Sequence, residues 1–526
     1  MKIIVATLNA KYIHTCLALR YLKAYSQADF AMDIAEYTIK DPIMNIVSDL
    51  FQRKPNIIGF SCYIWNIEET LQVVRLLRKI MPELTIVLGG PEVSYDTEQW
   101  LVGEPEVDMI VMGEGESTFH HLLQELHSDR KFHYVFGLVY RKEGQVVINP
   151  PRPKLDLGDI PSPYRFEEDK SDLGKRVVYF ETSRGCPFSC QFCLSSIEVG
   201  VRYFHMERTK ADLLYLIQSG AKLIKFVDRT FNIKRDYAME VFQFLIDNHR
   251  GCTFQFEITA DIMRPEVLDF LKEHAPAGVF RFEIGVQSTN EKTNELIERR
   301  QNFTKLSRTV NTIKNSGNID QHLDLIAGLP EEDYASFRHT FNDVFALRAE
   351  ELQLGFLKML RGTGMRRDAD KYGYIYMDRA PYEILGNDIL PFEDLFLRLQ
   401  QFLTHRGVQH PEVVWGLMKL DYFLNHRYKP RKNWWPMELN KSEFNQTMRY
   451  FAEHADEVSA EFAALKLDER DLHKHTVVQV LPFDLADLLE RGIVNMDANT
   501  ALIVYYTPDL SGPPQWFGSK GIVLQA

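Results

Sequence analysis

The chain of 526 residues is 45% hydrophobic and 25% charged, the balance of a soluble globular protein of about three domains, which excludes disordered and low-complexity classes. Its formal net charge of −12 argues against a generic nucleic-acid coat or a polybasic membrane anchor. No apolar run approaches the roughly 18 residues that span a bilayer. The opening Lys2-Ile3-Ile4-Val5-Ala6 reads as a buried strand rather than a leader, so a cytoplasmic location is expected.

Short apolar runs at 2–8, 57–62, 85–88 and 107–112 read as strands buried on both faces. Helical patterns at about 14–26, 43–53, 67–81 and 116–127 lie between them. In the last, Phe119, Leu122, Leu123 and Leu126 form one apolar face. The alternation predicts a doubly wound parallel sheet over residues 1–140, with any ligand at the carboxyl ends of the strands. Those ends read Ser61-Cys62-Tyr63, Gly89-Gly90-Pro91-Glu92 and Gly113-Glu114-Gly115-Glu116. Such glycines serve either tight turns or close backbone approach to a ligand.

Pro150, Pro151, Pro153, Pro161 and Pro163 mark residues 141–175 as an extended linker. A second alternation follows, with strand-like runs at 177–182, 223–227, 254–259, 279–284, 322–326 and 352–357. Helical patterns such as 211–218, 239–248 and 337–347 separate them. Six units predict a partial (βα)6 barrel over 176–384, with its site again at the strand ends. Residues 385–526 read as a mixed, mainly helical domain with strand-like runs near 477–481 and 501–506. Its aromatics and those just before it, Tyr382, Phe392, Trp415, Tyr422, Trp434 and Trp435, serve a core or line a pocket. His473 and His475 read as solvated.

Cys16, Cys62 and Cys252 are scattered, whereas Cys186, Cys190 and Cys193 share the loop after the first barrel strand. Three thiolates on one loop ligate iron or zinc. A structural zinc site needs a fourth ligand, for which His205 is the nearby histidine. A four-iron cluster on three thiolates instead leaves one iron open to substrate or cofactor.

Cys186-Pro187-Phe188-Ser189-Cys190-Gln191-Phe192-Cys193, with an aromatic before the last cysteine, resembles the radical S-adenosylmethionine (SAM) superfamily. The resemblance implies a 4Fe-4S cluster on Cys186, Cys190 and Cys193 and reductive cleavage of SAM to a 5′-deoxyadenosyl radical. It extends to Phe282-Glu283-Ile284-Gly285-Val286-Gln287-Ser288, similar to the segment contacting SAM ribose and methionine. Asp324-Leu325-Ile326-Ala327-Gly328-Leu329-Pro330 is similar to the segment lying along adenine. Phe192, Glu283, Gln287, Ser288, Ile326 and Gly328 are thereby implied as SAM contacts. Many members carry GGE after the second strand; here Asp228 stands there, either as a substitute contact or as a helix cap.

A flavodoxin-like sheet with GGP and GEGE loops, joined by a proline-rich linker to such a barrel, resembles the cobalamin-binding radical SAM enzymes. That resemblance implies cobalamin at Ser61, Gly89, Gly90, Gly113 and Glu114. The DxHxxG signature of another cobalamin fold is incomplete here, since the first loop reads Tyr12-Ile13-His14-Thr15-Cys16-Leu17. His14 is then a lower cobalt ligand or an ordinary loop histidine, and Cys62 either faces the corrin or is a plain buried residue. Methyl transfer to an unactivated carbon is the implied reaction. Ring closure or rearrangement without methyl transfer is the alternative enzyme, and a non-turning-over corrinoid or cluster sensor a third reading. The expected partners are a small-molecule or peptide substrate and an electron donor such as flavodoxin or ferredoxin, with neither membrane nor nucleic acid.

Overall fold

Strands β1 (Ile3–Asn9), β2 (Met32–Thr38), β3 (Ile57–Ser61), β4 (Thr85–Gly89) and β5 (Met109–Val111) alternate with helices α1 (Leu17–Ser26), α2 (Ile43–Arg53), α3 (Ile67–Ile80), α4 (Thr97–Gly103) and α5 (Gly115–His127) in the computed structural model. That model describes residues 1–197, 200–398, 476–481, 501–506 and 522–524. The five strands pair in parallel in the order β2-β1-β3-β4-β5, the flavodoxin-like order with its switch point between β1 and β3. A hairpin of β6 (Leu138–Lys142) and β7 (Gln145–Ile148) adds antiparallel to β5. The sheet therefore runs to Ile148, past the boundary at 140 expected from the alternation, because a hairpin breaks that alternation.

Both faces of this sheet are buried, which is why its strands read as continuous apolar runs. Ile4, Ala6, Leu8, Ile58 and Phe60 pack against Val47, Leu50, Leu71 and Leu77 of α2 and α3. Ile3, Val5, Ile57 and Val87 pack against Leu19, Phe119, Leu122 and Leu123 of α1 and α5.

The barrel begins with β8 (Val178–Phe180) and a hairpin of β9 (Ser183–Cys186) with β10 (Gly200–Tyr203). Next come α6 (Met206–Gln218), β11 (Leu223–Phe226), α7 (Arg235–Asn248), β12 (Thr253–Ile258), α8 (Pro265–His274) and β13 (Phe280–Gln287). Then follow α9 (Glu291–Leu296), α10 (Phe303–Ser316), β14 (Ile319–Ala327), α11 (Tyr334–Phe345) and β15 (Glu351–Phe356). All six expected barrel strands form. Contacts divide the chain into two compact units. The first holds Met1–Gly285, Lys292–Asp320 and Leu357–Ile384, the second Val286–Glu291, Gln321–Phe356 and Leu385–Ala526.

In the first unit β8, β11, β12 and β13 pair in parallel. Phe180, Phe226, Phe254, Phe256, Phe280 and Phe282 are fully buried on one face of this ladder, with the rings of Phe226 and Phe256 stacked at 4.3 Å. The alternate residues Tyr179, Lys225, Gln255 and Glu283 lie on the opposite face by strand periodicity. In the second unit β14 pairs in parallel with β15. Short strands β16 (Ile375–Tyr376) and β17 (Ile384–Gly386) follow β15, with α12 (Gly364–Arg367) before them.

Antiparallel β18 (Thr476–Leu481) and β19 (Ala501–Tyr506) match the two expected runs, and β20 (Ile522–Leu524) adds in parallel to β15. The segment expected to be mainly helical, with Trp415, Tyr422, Trp434, Trp435, His473 and His475, lies outside the described residues. Tyr382 is 1% exposed, its hydroxyl donating to Glu92 Oε1 at 2.7 Å, so it packs in a core. No helix among the described residues is long and apolar enough to cross a membrane.

Candidate functional site

The three clustered cysteines begin at the end of a short antiparallel strand, where Cys186 of β9 faces Gly200 of β10. Tight turns carry the rest. Cys193 N–H donates to Cys190 O at 3.0 Å, and the Ser196 hydroxyl donates to both Cys190 O and Cys193 O. The backbone of Gln191 is held from both sides: its N–H donates to Ile297 O, and its carbonyl accepts from Met365 N–H, each at 2.9 Å. All three cysteines are free thiols. Burial pushes the Cys186 thiol up, opposed by the Phe188 N–H and the Arg229 charge. Burial likewise raises Cys190, opposed by Arg299.

Among the described residues no three His, Cys, Asp or Glu side chains already converge on one metal position. The fit therefore rests on the donor set: three reduced thiols on one stitched loop, with guanidinium groups beside them to favour thiolates. That set suits iron–sulfur ligation. The His205 ring, the fourth ligand of the zinc alternative, lies beside Gly158 of the linker, whose added Cβ would stand 3.2 Å from Nε2.

Two expected SAM contacts are spent on the fold. Asp228 is 1% exposed, and its carboxylate accepts from Thr182 N–H, Thr182 Oγ1 and Ser183 Oγ. Burial pushes it up to about 6 against those hydrogen bonds. It clamps the chain leaving β8 and does not cap α7, whose N-cap is Lys234. Ser288 is fully buried and donates to Glu332 Oε1 at 2.6 Å, while accepting from Asn290 N–H at 3.0 Å.

The other residues keep accessible chemistry. Glu283 pairs with Lys225 at 2.8 Å and accepts from Gln255. Gln287 ends β13 at φ 68°, a left-handed conformation that strains a residue with a side chain, and its buried Oε1 has no partner among the described residues. An orphaned acceptor on strained backbone makes Gln287 a candidate for a contact the described residues do not supply. Ile326 and Phe192 are half-buried, and Gly328 is buried with φ 91°.

In the first sheet the loops at the ends of β4 and β5 are joined by Ser94, whose hydroxyl donates to Gly90 O at 2.8 Å and accepts from Gly113 N–H at 3.1 Å. Gly90 has a reason within the fold to be glycine. At φ 107° its added Cβ would stand 2.5 Å from Cys62 O. Gly113, at φ 68°, has open space where a Cβ would stand, and Gly89 meets only ordinary contacts with Val111. Ser61 is buried, its carbonyl accepting from Asn66 Nδ2 at 3.0 Å. Cys62 is fully buried, and burial pushes its thiol well up. His14 shares a 2.8 Å hydrogen bond through Nδ1 with the Tyr179 hydroxyl, and burial with the charges of Lys11, Lys225 and Arg176 pulls it down.

Glu114, expected at the cobalamin, reaches the cysteine hairpin. It pairs with Arg202 of β10 and lies 3.8 Å from Arg184 of β9. Arg184 also grips Glu116 at 2.6 Å and Glu181 at 2.8 Å. These ion pairs hold the loop after β5 against the strand that ends in Cys186. Sequence reasoning missed Arg184, Arg202 and Glu181, whose partners lie 68 to 88 residues away in two of the bonds. A charged residue two places before the first cysteine was the available signal.

A loop bearing three thiols, beside a parallel sheet and ion-paired to the strand ends of a doubly wound sheet, is what an iron–sulfur α/β protein requires. A B12-binding domain model matches residues 3–123 and a radical SAM superfamily model matches 180–344. The chain thus carries a B12-binding domain followed by a radical SAM domain. A family described only as a protein of unknown function (DUF4080) matches 370–397 and 390–505.

The uncharacterised methyltransferase PH0819 of Pyrococcus horikoshii is 26% identical over 60% of this chain and 70% of its own. The cobalamin-dependent radical SAM methyltransferase TokK of Streptomyces tokunonensis is 28% identical over 60% of this chain and 49% of its own, so the chain spans about half of that relative. An anaerobic magnesium-protoporphyrin IX monomethyl ester cyclase of Rubrivivax gelatinosus is 25% identical over 84% of this chain and 85% of its own. The solved structure of the radical SAM methyltransferase TsrM from Kitasatospora setae shares the fold at a TM-score of 0.60 and 16% identity, covering 76% of this chain and 81% of that one.

Proposed function

We propose that the chain is a cobalamin-dependent methyltransferase acting on an unactivated carbon of a small-molecule or peptide substrate. The observation that carries this reading is the ion-pair network from Glu114 and Glu116 to Arg184 and Arg202, which fixes the B12-domain loop against the cysteine hairpin. When bound, the cluster and SAM supply a hydrogen-abstracting radical and cobalamin supplies a methyl group. The chain's residues do the rest by positioning and by excluding water. Cys186, Cys190 and Cys193 hold the iron. Within the first unit Glu283 and the half-buried Phe192 offer SAM a carboxylate and an apolar wall; within the second, Gln287, Ile326 and Gly328 are the contacts that the sequence resemblance implies. Gly113 and Gly89 leave the corrinoid room at the strand ends, and Ser61 lies beneath them at the end of β3. The GGE site is left without a side-chain substitute, since Asp228 is consumed by Thr182 and Ser183.

His14, held by Tyr179, is not assigned to cobalt in this reading. Six free thiols and an oxygen-sensitive cluster suit the cytoplasm, where a flavodoxin or ferredoxin supplies the electron. Anaerobic protein loaded with hydroxocobalamin and given trideuteromethyl-SAM with a reductant should form 5′-deoxyadenosine and a product carrying the labelled methyl. The cyclase similarity, which spans 84% of this chain, favours a second reading: ring closure, giving 5′-deoxyadenosine and an unlabelled product. Failure of folded, cluster-loaded protein to bind hydroxocobalamin would remove methyl transfer.

A further inference from the structure

We infer that Arg299 is a positioning residue that raises the reduction potential of the cluster by presenting an uncompensated positive charge to the sulfur of Cys190. This rests on the reading of Cys186, Cys190 and Cys193 as cluster ligands.

Arg299 follows α9 and is half-buried. Its Nε donates to Gln301 Oε1 at 3.1 Å, one terminal nitrogen donates to Gly285 O on β13, and the other stands 4.0 Å from Cys190 Sγ. The planar fork thus spans two groups that must stay in register, the cysteine loop and the strand carrying Glu283. The same short segment holds the loop a second time, since Ile297 O accepts from Gln191 N–H between the second and third cysteines.

Charge compensation sets Arg299 apart from other arginines around the cysteines. Arg184 is surrounded by Glu114, Glu116 and Glu181, and Arg229 lies 3.6 Å from Glu257. Arg299 bonds a neutral amide, a carbonyl and a thiol, and no carboxylate among the described residues pairs with it. A guanidinium withdrawn from water without a counter-ion is costly. An anion on Cys190 removes that cost.

The sign of the effect follows. A four-iron cluster on three thiolates is anionic and gains one further negative charge when it accepts one electron from an external one-electron donor; no bond breaks and no proton moves in that step. A fixed positive charge at a ligand sulfur attracts the reduced form more strongly, and hydrogen bonds to the sulfurs tune the potential in the same direction. A charge-assisted hydrogen bond shifts such an equilibrium by about tenfold, which for one electron is about 59 mV.

The test is an EPR-monitored redox titration of anaerobically reconstituted full-length protein, wild type beside Arg299→Gln and Arg299→Lys, with iron content measured on each. Arg299→Gln should lower the ratio of reduced to oxidised cluster at the wild-type midpoint about tenfold, a midpoint about 59 mV lower. Arg299→Lys, which keeps the charge but not the fork, should fall between the two. An iron-loaded Arg299→Gln protein with an unchanged midpoint would overturn the inference while leaving the cluster assignment intact. Loss of iron in Arg299→Gln with full loading in Arg299→Lys would support a charge requirement. Loss in both would overturn redox tuning and make Arg299 a part of the fold. A wild-type protein that takes up no iron would sink the cluster reading itself.

Discussion

Glu332→Gln should make the protein less sensitive to alkaline pH. Glu332 is fully buried; one carboxylate oxygen accepts from Ser288 at 2.6 Å and Thr340 at 2.7 Å, and the other has no partner among the described residues. Burial pushes the group from an ordinary 4.5 up to about 7, against the pull of those two hydroxyls. The folded state therefore holds the proton more tightly than the unfolded state, and stability falls as pH rises from 4.5 through about 7. Each pH unit of that window carries about 1.4 kcal/mol, giving a total of about 3 kcal/mol. Glutamine keeps an oxygen for Ser288 and Thr340 and removes the charge. Thermal melting at about pH 5 and about pH 8 should show the variant gaining on wild type by about 6 to 12 °C between the two conditions. His322 contributes equally to both proteins, so the difference isolates Glu332. Parallel pH profiles for the two proteins would refute the argument.

Alanine at Cys186, Cys190 or Cys193 should each abolish iron loading and 5′-deoxyadenosine formation in anaerobic protein, whereas Cys252→Ala should retain about four irons per chain. Gly90→Ala should unfold the first domain rather than selectively block cobalamin, because its Cβ would strike Cys62 O; a folded variant by circular dichroism would contradict this. Gly113→Leu, with open space at its Cβ, should cost only the about 1 to 2 kcal/mol of its left-handed backbone and lower hydroxocobalamin uptake measured by absorbance. Burial alone would lower His322, but its bonds to Asp324 and Glu351 outweigh that and hold it at about 9. Its contribution is complete below 6.5 and lost as pH rises through about 9, so His322→Gln should flatten the alkaline limb of the melting profile.

The first sheet and the barrel were legible because a strand buried on both faces is a run of apolar residues, and seven of the strands in the two sheets bury at least two consecutive apolar side chains or alternate phenylalanines with polar ones. β2, Met-Asp-Ile-Ala-Glu-Tyr-Thr, escaped because it is an edge strand whose outward residues are polar. The β9–β10 hairpin escaped because its four-residue strands carry Arg184 and Arg202 rather than an apolar face. Cys186, Cys190 and Cys193 were legible because all the donors sit on one loop. The partners of Asp228, Ser288 and Glu114 within the fold were not legible, for the opposite reason. A carboxylate or hydroxyl at a strand end looks the same in sequence whether it meets a ligand or the fold, and Thr182, Glu332 and Arg202 are distant in the chain.

Those internal bonds bear on how the site keeps its geometry. Radical chemistry needs its reacting groups held to a fraction of an ångström, and a displacement of about 1 Å costs on the order of a hundredfold in rate. The Arg184 cluster is suited to that demand rather than to stability. Its guanidinium is mostly buried among Glu116, Glu181 and Glu114, and a buried ion-pair group repays its desolvation only with close geometry. Replacing it by a well-packed apolar residue would not restore what it does, because apolar contact carries no direction, whereas a planar fork fixes three carboxylates at set angles. Arg184→Met should therefore strand Glu116 and Glu181 as buried charges, costing about 3 kcal/mol or more. It should also uncouple the loop after β5 from the cysteine hairpin. A variant with full iron and full cobalamin should then cleave SAM yet transfer less labelled methyl to product, a split visible as excess 5′-deoxyadenosine over methylated product. Equal loss of both would instead place Arg184 in the support of the cluster alone.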